Sequence, residues 1–255
     1  MAKQAWSIHL ERAIYIAAVV ALWEVAAGLW IPAEFIGEPS AILRQFFAWV
    51  ASGELWRHAW VTIYEALFGY LVGGCAGVIV GIVLALNPLL ARTVDPVLTA
   101  VYSVPKVSFG PLFILAFGIF EPSKIALAAL IVFFFLFYDT FQGVRSVSPE
   151  LRDIVRIMGA NPWQVFRYIT WPHALEWMID GLKISLPYAF IGAVAGEIMI
   201  SSRGIGYLIR QQSDMVNITG VFAALLILLI LSTLLNAVVN AFRQSVSKWR
   251  GGLSI

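Results

Sequence analysis

The sequence predicts an all-α integral membrane protein. Three observations carry that expectation: several unbroken apolar runs, a mean hydropathy of +0.85, and a composition that is 60% hydrophobic but only 13% charged. A run of ~20 apolar residues crosses a ~30 Å hydrocarbon core, and soluble cores seldom hold several. The runs are continuously apolar rather than alternating, which selects helices over a transmembrane barrel. Cys75 is the single cysteine, which excludes an intrachain disulfide and a cysteine-cluster metal site; in its apolar setting a packed thiol is expected rather than a reactive one.

Six spans are predicted, at Ile14–Trp30, Thr62–Leu86, Thr99–Phe120, Lys124–Val144, Leu175–Ile200 and Ile218–Phe242. The first follows Lys3 and Arg12 as a signal peptide would. It is long for a signal core and carries Glu24, so an uncleaved span is expected. Between the first two spans, Pro39 to Arg57 reads as an external helix lying along the membrane interface. Ile42, Phe46, Phe47 and Val50 form its apolar side, and Trp49 and Trp56 suit headgroup depth. Pro105 and Pro111 break the third span, so its first half is expected to be a separate short helix.

Basic residues set the orientation. With the N-terminus inside, Lys3, Arg12, Arg92, Arg145, Arg152, Arg156, Arg167, Arg243, Lys248 and Arg250 are cytoplasmic, against Arg44, Arg57, Lys124, Arg203 and Arg210 outside. Both termini are therefore expected in the cytoplasm.

Gly69, Gly73, Gly77 and Gly81 recur every four residues in the second span and make one slowly drifting stripe over ~18 Å. Gly192 and Gly196 repeat the spacing in the fifth. Such stripes let a neighbouring helix approach closely and gain dispersion contact, so helix packing is expected, against a partner in this chain or in another.

A polar interruption, SPELRDIVRIMGANPWQVFRYITWP at 148–172, falls on the cytoplasmic side. Ser148 suits a helix cap, Pro149 the first helical position, and Glu150 and Asp153 the positive helix end. Leu151, Ile154, Val155 and Met158 then form an apolar stripe, with Arg152 and Arg156 opposite. Gly159 closes that helix. Asn161 caps a second one that Pro162 opens; Trp163, Phe166 and Ile169 give its apolar side, and Pro172 is expected to end it. The pair forms a knob suited to a groove on a soluble partner.

A charge at a helix centre costs on the order of 3 kcal/mol, which singles out Glu24 and Glu197. Glu197 reads as a gate or path wall, or as a structural bond to a neighbouring helix; for Glu24 the structural bond is favoured. Lys106, between the two prolines, faces either an anionic solute or the loop surface. Asp180 and Lys183 are spaced for an ion pair. His9, His58 and His173 are scattered and support neither a metal site nor a catalytic triad. A buried acidic relay or an inverted repeat, which an ion-driven carrier would need, is not evident.

The spacing of Asp153, Gly159, Ile169 and Pro172 resembles the EAA loop of permease subunits of binding-protein-dependent ABC importers. That loop runs E-A-A, three residues, G, nine residues, I, one residue, L-P. Asp153, Ile154, Val155 and Trp171 depart from its residue types but keep its spacing. The segments SVPKVSFGPLFILAFGIFEPSKIAL at 103–127 and GEIMISSRGIGYLI at 196–209 resemble the nitrate, sulfonate and taurine branch, and the likeness covers nearly the whole chain.

The resemblance implies an N-terminal transmembrane helix and interfacial helix at 1–60, a five-helix type I importer core at 61–245, and a cytoplasmic tail at 246–255. It implies a multi-pass protein of the bacterial cytoplasmic membrane that forms the path for a small solute, such as nitrate, a sulfonate or a taurine-like compound. Partners would be two ATP-binding subunits, a second permease copy (a homodimer is expected) and an external substrate-binding protein. Contact with the ATPase subunit is expected from Asp153, Arg156, Gly159, Ala160, Asn161, Trp163, Phe166, Ile169 and Pro172. Path or gate residues would be Lys106, Glu197, Gly204 and Gly206.

The chain has no G-x-x-x-x-G-K-[ST] loop, so it is expected to be no enzyme and to hold no cofactor, with ATP and Mg²⁺ bound in the partner subunit. Gly204 and Gly206 make no dinucleotide fingerprint, since no strand precedes them and the third glycine is missing. An ion-driven carrier or a channel is the alternative.

Overall fold

Capping signals and prolines cut the chain into twelve α-helices among the described residues, which are 2–30 and 32–247 of the computed structural model. No strand occurs among them. Residues 248–255, the greater part of the expected tail with its Lys248 and Arg250, lie outside the described residues.

Helix α1 (Ala2–Leu29) leads through the one-turn α2 (Ala33–Ile36) to α3 (Pro39–Ser52). Glu24 of α1 accepts a hydrogen bond from the Ser40 amide at 2.9 Å, so this acid in an apolar stretch satisfies a free donor at the start of α3. Gly53, at φ 78°, ends α3 in the left-handed conformation that glycine adopts without steric cost. α4 (Glu54–Leu86) starts immediately after it. The second span therefore begins at Glu54 rather than Thr62, and the segment boundary expected after residue 60 falls inside a helix.

The face of α3 also differs from expectation. Ile42 and Trp49, two turns apart, are both buried against Leu55, Ala59, Ile205, Leu208 and Ala223, whereas Phe47 is exposed. Trp49 is thus a core residue and not a headgroup anchor; Trp56 remains exposed.

Asn87 caps α5 (Pro88–Tyr102) by accepting from the Leu89 and Leu90 amides at 3.0 and 3.2 Å. A turn of 3₁₀ helix (Lys106–Phe109) then leads into α6 (Gly110–Phe117), bent 87° from α5. Pro105 stands at this break. Pro111 instead occupies the first turn of α6, where a missing N–H leaves no bond unmade.

The remaining helices are α7 (Glu121–Arg145), α8 (Pro149–Ile157), α9 (Pro162–Val165), α10 (Trp171–Ile200), α11 (Ile205–Asp214) and α12 (Ile218–Ser247). Four helical stretches are long and apolar enough to cross a membrane: α4, α7, Pro162–Ile200 and Ile218–Val238. The bent α5–α6 pair is a fifth candidate, and α1 contributes the shorter apolar stretch Ile14–Ala27.

α7 runs between α4 and α10, and both glycine stripes face it. A Cβ at Gly69 would stand 2.5 Å from the Ala128 Cβ, and one at Gly77 2.7 Å from the Phe133 carbonyl oxygen. A Cβ at Gly73 would enter the Ala129 carbonyl, and one at Gly192 would come 2.6 Å from the Ala128 Cα. The partner helix therefore lies in the same chain. Ala66, Ala128, Val132, Leu136, Ala189, Phe190 and Ala193 fill the seam, where the four alanines and the glycines bring three backbones together although lipid supplies no hydrophobic drive. α3, α11 and α12 pack as a second group against one end of this trio, and α1 lies outside it against α2 and α3.

Candidate functional site

Two polar regions sit at opposite ends of α10. The first is the module at its N-terminal end. Ser148 Oγ accepts from the Leu151 amide at 3.2 Å and opens α8. α8 closes through Gly159 at φ 91°, with Gly159 N donating to the Arg156 carbonyl at 2.9 Å and Ala160 N to the Val155 carbonyl at 3.0 Å. Asn161 Oδ1 accepts from the Gln164 amide at 2.9 Å and Gln164 Oε1 from the Asn161 amide at 2.8 Å, a reciprocal capping box. Asp153 and Arg156 make an exposed pair at 3.7 Å.

Pro172 does not end the second helix. It lies in the first turn of α10, and the chain is helical from Pro162 to Ile200. An interior proline lacks the bond to the carbonyl four residues back, that of Tyr168, and its ring crowds that carbonyl. Here Tyr168 lies in a widened π-helical turn (Phe166–Thr170), which accommodates the ring. The expected second short helix is thus the first turns of one continuous helical stretch, Pro162–Ile200.

The capped backbone displays apolar side chains outward. Ile157 is 87% exposed, Met158 80%, Tyr168 74% and Trp163 66%. Leu151 and Ile154 are also exposed; Val155, Phe166 and Ile169 are half-buried. A cleft of about 410 Å³ between the two helices is lined by Val155, Met158, Gly159, Ala160, Val165 and Tyr168.

The second region lies at the other end of α10 and is buried. Glu197 accepts from Thr62 Oγ1 at 2.7 Å and from the Gly206 amide at 2.6 Å. The Ile205 amide donates to Thr62 Oγ1 at 2.8 Å and the Gly204 amide to His58 Nδ1 at 3.0 Å. Lys124 reaches Glu65 Oε1 at 3.0 Å and Ser201 Oγ at 3.1 Å, and neither Glu65 oxygen receives a well-aligned hydrogen bond. Arg210 donates to the carbonyls of Ile198 and Met199 at 3.3 Å and to that of Ser201 at 3.0 Å.

Glu197 near the end of α10 thus meets Gly204 and Gly206 at the start of α11. A Cβ at Gly204 would collide with the Glu197 carboxylate, so only a bare backbone at φ 105° fits there. Glu65, Lys124, Thr62 and His58 were not singled out from the sequence. Glu65 carried the same signal as Glu197, an acid inside an apolar run.

Lys106 belongs to neither region. Its Nζ donates to the Tyr102 carbonyl and lies 4.2 Å from the Tyr102 ring centre and 5.7 Å from that of Phe134.

Residues 76–248 match the family model described as the binding-protein-dependent transport system inner membrane component. SsuC of Bacillus subtilis, named as an aliphatic sulfonates transport permease, is 34% identical over 92% of this chain and 85% of its own length. RibX of Chloroflexus aurantiacus, a riboflavin transport system permease, is 31% identical over 91% of this chain and 87% of its own. The MetNI methionine ABC transporter, solved in inward-facing conformations, shares the fold at a TM-score of 0.62 and 22% identity, covering 73% of this chain and 93% of that one.

Proposed function

The chain belongs to the inner membrane components of binding-protein-dependent transport systems, and on that premise we propose how it is driven, what it carries and with what it assembles. It is a permease of an ABC importer and neither an enzyme nor an ion-driven carrier or channel. The module at 148–172 is its contact with a separate ATPase subunit, which holds the ATP and Mg²⁺. Asp153, Arg156, Gly159, Ala160, Asn161, Trp163, Phe166 and Ile169 form or shape that contact, and Pro172 sits at the root of α10, which transmits it.

One observation carries this reading. Two helix starts capped by side chains and a backbone turn at Gly159 hold four large apolar residues outward, a rigid apolar knob that no described residue covers. Both termini and the module face the cytoplasm, as the bias of basic residues requires. Glu197, Gly204 and Gly206 then frame the external end of the path, and Lys106 lies on its wall. Two permease copies, two ATPase subunits and an external binding protein complete the importer. The solute is of the sulfonate type, as the name of the 34%-identical relative supports.

Co-purification with the ATPase subunit, paired with ATP-driven uptake, is the test. Gly159→Pro, or deletion of 150–170, is expected to abolish both, because proline is barred from φ 91°. Retention of assembly and uptake in either variant would remove the coupling assignment.

A further inference from the structure

The break between α5 and α6 leaves irregular backbone within the apolar pair that is the fifth candidate span. Such backbone is tolerated only where it is covered by protein or lines a water-filled cavity. Here the chain does not cover it: Ser103, Val104 and Pro105 are exposed, and Lys106 is half-exposed. An ionisable residue in this position faces protein or water and not acyl chains.

The surroundings of Lys106 fit a solute better than a structural bond. Among the described residues no carboxylate makes an ion pair with it, and its one hydrogen bond goes to the Tyr102 carbonyl. An ammonium has three donors, so two remain. The rings of Tyr102 and Phe134 hold the charge in place by cation–π attraction without neutralising it. The aromatic surface continues from Tyr102 to Tyr138 at 5.4 Å and to Phe135 at 5.9 Å, and from Phe135 to Tyr188 at 4.1 Å. Phe134 and Phe135 stand near the middle of α7, and the three tyrosines are each more than one third exposed.

Toward the module the charge changes sign. Asp139 lies within electrostatic reach of Tyr102 and of Asp180. An anion is therefore favoured at the break and less so beside Asp139. That is the profile of a station a solute enters and leaves, since conduction fails if binding is too strong.

Resting on the importer reading above, we propose that Lys106, with Tyr102, Tyr138 and Tyr188, forms a weak station on the path that selects the anionic head of the solute. A sulfonate or another compact oxyanion supplies acceptors for the two free N–H groups, as charge-assisted hydrogen bonds require.

The test reads local potential directly and does not depend on which solute is carried. In the permease assembled with its ATPase subunits in lipid nanodiscs, Cys75→Ala removes the native thiol and Tyr138→Cys supplies a reporter. The probes are two membrane-impermeant thiol reagents, anionic 2-sulfonatoethyl methanethiosulfonate and cationic 2-(trimethylammonio)ethyl methanethiosulfonate. Both are expected to react. The anionic-to-cationic rate ratio is expected to fall about tenfold on Lys106→Gln and to stay within about twofold on Lys106→Arg, because a nearby charge acts on the two reagents in opposite directions. No reaction at Tyr138→Cys with either reagent, or a ratio unchanged by Lys106→Gln, overturns the station. Assembly with the ATPase subunits is scored for every variant. A failure of the module contact appears there, whereas a failure of the station appears only in the rates.

Discussion

The two ends of α10 use polar residues in opposite ways. At its C-terminal end, Glu197, Thr62, His58, Lys124 and Ser201 turn inward and hold the loop between α10 and α11 by three backbone amides. At its N-terminal end, Ser148, Asn161 and Gln164 satisfy only their own backbone, and the apolar side chains point out. One end is a joint completed within the chain. The other is rigid but unfinished, the form expected of a part that fits into something else.

Breaking the internal joint should cost most. Lys124→Met leaves the fully buried Glu65 carboxylate without its cation and is expected to destabilise the protein by about 3–5 kcal/mol, read as a fall in unfolding temperature in detergent. Adding Glu65→Met should recover most of that loss, since an apolar pair replaces an ion pair at little cost. No recovery would mean that Lys124 acts mainly through Ser201.

Next comes the seam that connects the two ends. Gly73→Val forces α4 away from the Ala129 backbone and is expected to cost about 1–3 kcal/mol, with a lower folded yield on size-exclusion chromatography. Asn161→Ala removes one half of the capping box and should cost about 1 kcal/mol, seen as faster amide exchange over residues 163–166. The smallest effect on stability belongs to Ile157→Asp, within about 0.5 kcal/mol of the parent because that side chain is 87% exposed among the described residues. The same variant should lower recovery of the ATPase subunit at least tenfold. Unchanged recovery would remove Ile157 from the contact and sharpen where the knob is gripped.

The module was the most legible region because its causes are local. Caps at Ser148 and Asn161, the turn at Gly159 and the proline positions act within a few residues, so their order in the chain spells their shape. Pro172 was misread because a proline normally ends a helix; only the widened turn upstream lets α10 run through it. Trp49 was misread for a related reason. Its amphipathic side suits a headgroup or a packed neighbour equally, and α11 and α12 supply the neighbour from residues more than 150 positions away. Glu65 and Asp139 carried the signal of an acid in an apolar run, and only Glu24 and Glu197 were taken up.

By itself the sequence determined that the chain is helical and membrane-embedded, that the polar interruption is a capped knob of importer type, and that no phosphate loop accompanies it. These follow from composition, periodicity and short-range capping. The tertiary structure decided which helix the glycine stripes address, that Glu197 meets Thr62 and the Gly206 amide, and that Lys106 rests on aromatic rings at a break. Those contacts join residues far apart in the chain, and helix packing sets them through the close approach that missing side chains allow, which no local pattern records.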